Sequence, residues 1–595
     1  MEKKDNIWIF TFEFAGVAKV GGLGEVPSNQ ARNLAEKFDI TVFIPAHGQL
    51  DRLKKSYQIE ELPFKCVGQI EPLKLGINKP ECSYSIGFYK FEMDNVSIIL
   101  LSGENAFTSE FLDDKTVYSP DTFSLKMCLF SMGIRDLIEY YMKERIERLP
   151  KIVHLHDYHV VIPFIGMKQI LEKYDLDVRS IITIHLLTWP RFNLNFFKAC
   201  GIDDTPIKIL SKEGFKKMNI GEIFLSCEEK EEFSDNKKPP TVEKIGAFIS
   251  DLVTTVSKSY LSEELIPNLG AKLIDYKSDF IWNGCDWSYE TIFKEICNNL
   301  GEDMQEFLHV SNPSELTHDA MKKYLLTYKI GNLKKSPIIY SKKVLETIKQ
   351  ISQDNPFIKN GNVIPFEESG PLMITTGRIS SQKGFETIFE AIPRVIKHVP
   401  DARFLFLLNP TDFSLKEMRE YSEFIKIYPK NVRIIFGVTT EVYKFTHLIA
   451  DVYAALSRWE PFGITALEAM SLKLPVIASR VGGLQESIID IKTDPINGTG
   501  LLIDKDDSFE FAHSLISMLI LSEVAKSNPD KKGENTQKIN ELSDEVIKFL
   551  AINDNHYYDK IRENCYNRVH NYFRWSKVTV KLAMMYDKLK NLNSM

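Results

Sequence analysis

Ser457-Arg-Trp-Glu-Pro-Phe-Gly-Ile-Thr-Ala-Leu-Glu-Ala-Met470, followed by Pro475-Val-Ile-Ala-Ser-Arg-Val-Gly-Gly483, decides the fold. Pro461 and Gly463 mark a turn. Ile464, Leu467, Leu472 and Leu474, with Ala466 and Ala469, predict a short buried helix, and Val476-Ile-Ala a brief apolar strand. Gly482-Gly483 opens a second turn. Turn, helix, strand and Gly-rich turn make one unit of a parallel α/β sheet. Glu460 lies in the loop before the helix, and Glu468 lies about two turns beyond it. A helix N-terminus carries free N–H groups and a partial positive charge, so it suits a diphosphate. A carboxylate on either side is placed to hold sugar and ribose hydroxyls. A solvated loop glutamate and a helix-surface glutamate would produce the same letters, so the rest of the chain has to decide.

Working outward, 595 residues allow about two to four domains, each with an ample core. With 44% hydrophobic and 26% charged residues the composition is that of a globular protein. The 74 basic and 81 acidic side chains give a net charge of −7, which offers nothing to nucleic acid or an anionic membrane. No apolar run approaches the roughly 18 residues of a membrane span. Met1-Glu-Lys-Lys-Asp leads almost directly into a strand, so no signal peptide is expected. The eight cysteines are scattered without a C-x-x-C pair, which suits reduced thiols and a cytoplasmic location.

In the N-terminal half, Ile7-Trp-Ile-Phe-Thr-Phe12 predicts a buried strand, Lys19-Val-Gly-Gly-Leu-Gly-Glu25 a Gly-rich turn, and Ser28 to Phe38 a helix. Gly21, Gly22 and Gly24 let backbone approach a phosphate or sugar closely, and Lys19 sets a cation beside the exposed N–H groups. Thr41–Pro45 follows as the next strand, reached by a helical crossover. Ile152-Val-His-Leu-His-Asp-Tyr-His159 admits two readings. His154, His156, Asp157 and His159 could hold a metal, as in a metallohydrolase, since His154 and His156 share one face of a strand. The order H-x-H-D-x-H is not the H-x-H-x-D-H of binuclear zinc hydrolases, however, and no second ligand cluster follows. Ser180-Ile-Ile-Thr-Ile-His-Leu-Leu-Thr188 is a further strand with His185 near its end. Residues 205–245, with Glu228–Glu232 and Lys237–Pro240, look like a solvated insertion.

In the C-terminal half, residues 290–360 are polar and largely helical, and the hinge is expected near 285–300. Leu372-Met-Ile-Thr-Thr-Gly-Arg-Ile-Ser-Ser-Gln-Lys-Gly384 predicts strand, turn and helix start, with Arg378 and Lys383 flanking the turn. Arg binds phosphate oxygens bidentately and Lys as a point charge, so both suit a pyrophosphate. Phe404–Leu408, Val432–Gly437 and Ala450–Ala455 add strands. Residues 505–545 look like a second charged insertion, and Val578, Leu582, Met585 and Leu589 give the last helix one apolar stripe.

Five blocks in order resemble the glycogen and starch synthases. The paired Glu460 and Glu468 resemble the two glutamates of retaining glycosyltransferases, and Lys19–Glu25 resembles the family's K-x-G-G-L-G-[DE] loop. His154–His159 resembles H-x-H-D-W-H with Tyr158 for Trp, and Thr183–His185 resembles T-x-H-N with Leu186 for Asn. Gly377–Gly384 resembles G-R-x-x-x-Q-K-G; Thr254–Glu264 and Asn283–Asp286 are similar to further family segments. The resemblance implies an α/β fold of the GT-B type, two Rossmann-like domains facing a deep cleft. The N-terminal acceptor and catalytic domain would span 1–290, with helix 572–595 packing back on it, and the nucleotide-sugar domain 291–571. It implies glucose transfer from ADP- or UDP-glucose to the end of an α-1,4-glucan with retention, the nucleotide sugar being a co-substrate and no cofactor or metal being required. Glu460, His185, Asp157, Arg378 and Lys383 would be catalytic. Lys19, Gly21, Gly22, Gly24, Gly463, Ile464, Thr465 and Glu468 would bind the donor. The expected partners are the glucan (glycogen or malto-oligosaccharide) and the nucleotide sugar, with no nucleic acid and no membrane, and a homo-oligomer is left open. A related glucosyl- or mannosyltransferase acting on another acceptor is the nearest alternative.

Overall fold

Strands buried on both faces need helices above and below them, and that requirement shapes both halves of this chain. The computed structural model describes residues 4–594 except 76–77, 79, 231–236, 313–314, 336, 340, 360–361 and 528–531. It divides into two units, one of Met1–Asn283 with Trp575–Met595 and one of Gly284–Arg574. The division therefore falls at 283/284 and 574/575, where residues 290 and 572 were expected.

The first unit is built on β1 (Asn6–Phe10), β2 (Asp39–Pro45), β3 (Glu60–Ile70), β4 (Cys82–Met93), β5 (Val96–Gly103), β6 (Ile152–His156), β7 (Arg179–Thr183), β8 (Leu252–Thr255) and β9 (Ser278–Phe280). They form one sheet in the order β9-β8-β7-β6-β1-β2-β5-β4-β3. All neighbours from β9 to β5 are parallel, and β3 and β4 extend the sheet antiparallel. β6 and β7 are buried at every position, whereas β3 is buried only at Cys66 and Ile70. An edge strand facing water carries polar residues such as Lys65 and Gln69. Helices that cover the sheet include α1 (Glu25–Leu34), starting directly after Gly24, α2 (Phe123–Glu144) and α3 (Val161–Lys173).

The C-terminal helix Trp575–Lys590 belongs to this unit and packs on α1, β6 and β7. Its buried side is Trp575, Val578, Thr579, Leu582, Met585, Tyr586 and Leu589. Lys581 pairs with Asp279 at 2.6 Å and Lys590 with Asp5 at 3.0 Å. The segment 205–245 is not simply a solvated insertion. Ile207, Ile209, Ile220, Ile223, Phe224 and Cys227 are buried, and the helix Val242–Ile249 is buried along its whole length. Of its charged run, Glu231 and Glu232 lie outside the described residues.

The second unit is built on β10 (Leu372–Arg378), β11 (Arg403–Asn409), β12 (Val432–Phe436), β13 (Val452–Ala455), β14 (Val476–Ser479) and β15 (Gly500–Ile503). The order is β12-β11-β10-β13-β14-β15, parallel throughout. In chain order this is the 3-2-1-4-5-6 arrangement of a doubly wound sheet. Its helices include α4 (Phe385–His398), α5 (Ile464–Ser471), α6 (Ser508–Lys526) and α7 (Tyr557–Tyr572).

The expectation of a charged insertion over 505–545 is overturned for 508–526; residues 528–531 lie outside the described residues, and 534–545 is largely exposed. α6 is a core helix, capped by Asp507 accepting from the Phe509 and Glu510 amides at 2.9 and 2.8 Å, and it packs against α4 and α7. The acidic and basic letters of this segment lie at its ends, while Phe511 through Leu521 carries the apolar burial. By length and hydropathy α6 would suffice to cross a membrane, but 67% of its most apolar 18-residue window is buried inside the unit. Below it, Asp451 is fully buried and held by the Leu372 amide, the Ser522 hydroxyl and the Lys322 and Lys526 ammonium groups.

Candidate active site

A doubly wound sheet opens a crevice at the carboxyl ends of its strands, where the strand order reverses. In the second unit the reversal lies between β10 and β13. The residues leaving β10 are Gly377, Arg378 and then Lys383; those leaving β13 are Leu456, Ser457 and Glu460. Lys383 Nζ donates to Glu460 Oε2 at 2.6 Å, and the Ser457 hydroxyl reaches the same oxygen at 3.0 Å. A small pocket opens there, lined by Thr376, Lys383, Tyr453, Glu460, Gly463 and Thr465 among others. Gly482 stands at φ 44°, and a Cβ there would come within 1.9 Å of the Glu460 carbonyl, so the turn that seats Glu460 requires glycine. Gly384 stands at φ 60° with the Leu456 carbonyl 2.1 Å from a built Cβ, which brings the Lys383 turn against the end of β13.

Gly463 at φ 91° starts α5, whose first residues are Ile464 and Thr465. Arg378 is exposed at the end of β10 and is not among the residues lining the cavity, nor are Ile464 and Glu468. Glu468 instead accepts from the Tyr443 hydroxyl at 2.8 Å. Burial, and then the Glu468 charge, push that phenol well above its ordinary range.

In the first unit the reversal lies between β1 and β6. Past β1 the chain reaches Glu13, which is buried, and then the glycine loop. Glu13 Oε2 accepts from the Val20 and Gly21 amides at 2.6 and 3.1 Å, and Oε1 accepts from the Tyr118 hydroxyl at 2.7 Å. Two amides expected to face a ligand are thus held by a carboxylate that the sequence reasoning did not single out. Its only signal was its place, one residue after a buried apolar run. Gly22–Gly24 forms a tight turn, and Lys19 pairs with Glu25.

Past β6 comes Asp157, at φ 60° and ψ −179°, a region that glycine alone occupies without strain. Its amide donates to the Thr183 carbonyl at 3.0 Å, and its Oδ1 accepts from the His185 amide at 2.7 Å. Burial pushes the Asp157 carboxyl up to about 8. His185 Nε2 lies 2.9 Å from His156 Nδ1, with the two rings stacked at 5.2 Å. Burial lowers His185 to about 3 and His156 well below its ordinary value, so both are neutral near pH 7. The loop that follows is pinned by Glu243 Oε1, which accepts from the Thr188 and Trp189 amides, each at 3.0 Å. Glu243, like Glu13, was missed, because it falls in a stretch whose neighbouring letters are charged.

The four-residue metal reading of the histidine cluster finds no support in this geometry. His154 Nδ1 meets the Tyr586 hydroxyl at 2.8 Å and Nε2 meets Thr183 Oγ1 at 2.7 Å, so both of its nitrogens are used inside the fold. His159 is stacked on Phe12 at 5.4 Å and edged by Phe123 at 5.5 Å. Among the described residues no three His, Cys, Asp or Glu side chains are placed to share a metal ion.

Comparison with known proteins follows the same division. Residues 6–276 match the family described as starch synthase catalytic domain, and residues 357–539 match glycosyl transferases group 1. The chain is 25% identical over 518 residues to a glycogen synthase of Protochlamydia amoebophila, covering 83% of this chain and 88% of that one. It is 23% identical over 485 residues to a glycogen synthase of Chlamydia pneumoniae, covering 80% and 85%. Among solved structures, the catalytic domain of starch synthase IV from Arabidopsis thaliana, bound to ADP and acarbose, superposes with a TM-score of 0.63 at 18% identity, over 99% of this chain and 100% of that one. That last likeness is one of fold.

Proposed function

The chain belongs to the glycogen and starch synthase family of GT-B glycosyltransferases, and we propose that it moves glucose from ADP- or UDP-glucose to the 4-hydroxyl of a growing α-1,4-glucan with retention at the anomeric carbon. The observation that carries this is the Lys383–Glu460 pair, 2.6 Å apart in a cavity at the switch point of the second unit. Departure of a nucleoside diphosphate builds negative charge, and a cation already seated in a partly closed cavity stabilises it without reorganising. Lys383 takes that role, with Arg378 as the bidentate partner and the α5 N-terminus at Gly463, Ile464 and Thr465 as a third source of positive potential. Glu460 shares Lys383 while the donor is absent and turns to sugar hydroxyls when it arrives. Glu468 is assigned to the ribose, and Lys19 and the Gly21–Gly24 loop to the donor.

Asp157 and His185 are assigned to the transferred sugar, where an oxocarbenium-like centre needs hydroxyls fixed and water excluded. A strained, buried and hydrogen-bonded pair is suited to fixing position. No metal enters this reaction scheme, because the two cations supply the charge. Exhaustive chelation is therefore expected to leave the rate unchanged, and elemental analysis to show no stoichiometric zinc or iron. The eight cysteines, all free thiols, fit a cytoplasmic enzyme.

The decisive experiment is donor turnover. Purified protein given ADP- or UDP-glucose with glycogen should release nucleoside diphosphate and lengthen the glucan. No consumption of either donor with any α-glucan would overturn the reading, and turnover with a different sugar acceptor would replace it by the related-transferase alternative.

A further inference from the structure

We propose that His156 is a positioning residue that fixes the tautomer of His185, so that His185 presents Nδ1–H, a hydrogen-bond donor, to the transferred sugar. The inference rests on the reading of His185 as a sugar contact, but its structural part stands on the histidines themselves.

The 2.9 Å contact between His156 Nδ1 and His185 Nε2 needs one proton, and two neutral arrangements provide it. In the first, His156 donates from Nδ1 and His185 accepts at Nε2. In the second, His185 donates from Nε2, and His156 must then carry its own proton on Nε2. The surroundings of His156 Nε2 choose between them. That atom is buried without a hydrogen-bond partner, and the residue is wholly inaccessible. A buried N–H left unpaired is among the rarest features of folded proteins, while an unpaired acceptor costs less. His156 Nε2 is therefore the bare nitrogen, the proton sits on Nδ1, and the first arrangement holds. His185 accepts at Nε2, so its single proton is on Nδ1; this arrangement places the one unpaired N–H on His185, which is 8% exposed and whose Nδ1 is not among the fully buried unpaired atoms, rather than on His156, which is 0% exposed.

The neighbours keep this arrangement in place. The His154 ring stacks on His156 at 4.2 Å. His154 is locked in turn by a run of hydroxyls with a single consistent direction. Thr254 donates to the Ile182 carbonyl at 3.3 Å and takes the Thr183 proton at 2.7 Å. Thr183 then accepts from His154 Nε2–H, and the Tyr586 hydroxyl donates to His154 Nδ1. Burial disfavours the cationic form of all three rings, which removes the doubly protonated alternative.

The test exploits the two amide isosteres of histidine. Asn places its N–H₂ near the Nδ1 position and Gln places it near Nε2. His156→Ala and His156→Gln should each lower kcat about tenfold to a hundredfold, the usual cost of losing an outer-shell partner. His156→Asn should restore most of that loss, with the KM for the nucleotide sugar staying within about threefold throughout. Equal loss in Asn and Ala, or no loss in any variant, overturns the proposal. A second readout needs no turnover. Solid-state ¹⁵N spectra of the full chain with labelled histidine, assigned by omission in His156→Asn and His185→Asn, should show protonated Nδ1 and bare Nε2 on both rings. A protonated Nε2 on either ring overturns the tautomer even if the enzyme is active. The predicted spectra from a protein that turns over no donor would instead sink the functional reading and leave the tautomer standing.

Discussion

The two switch points of this molecule use opposite physics. In the second unit the polar groups are ionic, partly open to solvent and seated on glycine turns, with Lys383 and Glu460 paired and Arg378 exposed beyond them. In the first unit the groups past β6 are neutral, buried and cross-linked, whereas the glycine loop past β1 keeps an exposed ion pair, Lys19 with Glu25. His154, His156 and His185 stack in series, and Asp157 is held at a backbone conformation it would not choose. A site that must accept a doubly charged leaving group and release it again profits from charges that can change partners. A site that must hold a neutral sugar in one pose profits from groups that cannot move. Under the proposed function, charge handling falls to one sheet and positioning to the other.

The sharpest way to break this contrast is to remove the mobile cation. Lys383→Ala should lower kcat by about 10² to 10³ while leaving Tm nearly unchanged, because the charge acts in the transition state. Steady-state kinetics and a melting curve on one preparation decide it; a large fall in Tm with little change in kcat would mean the pair is structural.

The next effect is pH dependence. His47, His154, His159 and His185 are lowered to about 3 by burial, so the folded first unit binds fewer protons than the unfolded chain between the ordinary histidine value of 6.5 and about 3. Their contribution is fully present above 6.5 and is lost as pH falls through that window. Asp157 has the opposite sign. Raised from 3.8 to about 8, it stabilises the fold below its unfolded value and loses that contribution as pH rises toward 8. The Tm of wild type should therefore fall on the acid side, and the Tm difference between Asp157→Asn and wild type should move steadily in the variant's favour as pH rises from about 4 to about 8. A constant offset between the two proteins from pH 5 to 9 would contradict the buried, raised carboxyl.

Smaller still is the effect of Tyr586→Phe. It removes the donor to His154 Nδ1 and should cost about 1–3 kcal/mol, read as a lowered denaturation midpoint, with a lesser effect on rate. The smallest is Lys397→Ala on the exposed side of α4, expected to change stability by less than about 0.5 kcal/mol and kcat not at all.

Much of this arrangement could be read from the letters. Glu460 and Lys383 announce themselves because Pro461, Gly463 and Gly384 mark the turns that carry them, and turn chemistry is local. The C-terminal stripe could be read because helical periodicity is local too. What could not be read is long-range. Nothing in the sequence says that Glu13 and Glu243 are drawn inward to satisfy loop amides, or that His154 is used by Tyr586, 432 positions away. The misreading of 505–545 has a different cause. Charged ends were allowed to colour a segment whose middle, Ile516 to Leu521, is buried on every face. A helix buried all round has no polar stripe to reveal its period.

The C-terminal helix also dictates an order of events at the ribosome. Residues 284–574 form a unit from one unbroken stretch, so that unit can fold as soon as it is synthesised. The first unit, although begun first, lacks Trp575–Met595 until synthesis has passed the whole second unit, and its counterpart to Tyr586 and Leu582 stays uncovered in the meantime. Translation is thus a period during which the older half waits, with apolar surface around Phe38 open to the cellular folding machinery. A chain that stops short of residue 575 would carry a finished second half and an unfinished first half, the state that chaperones and proteases are best placed to recognise.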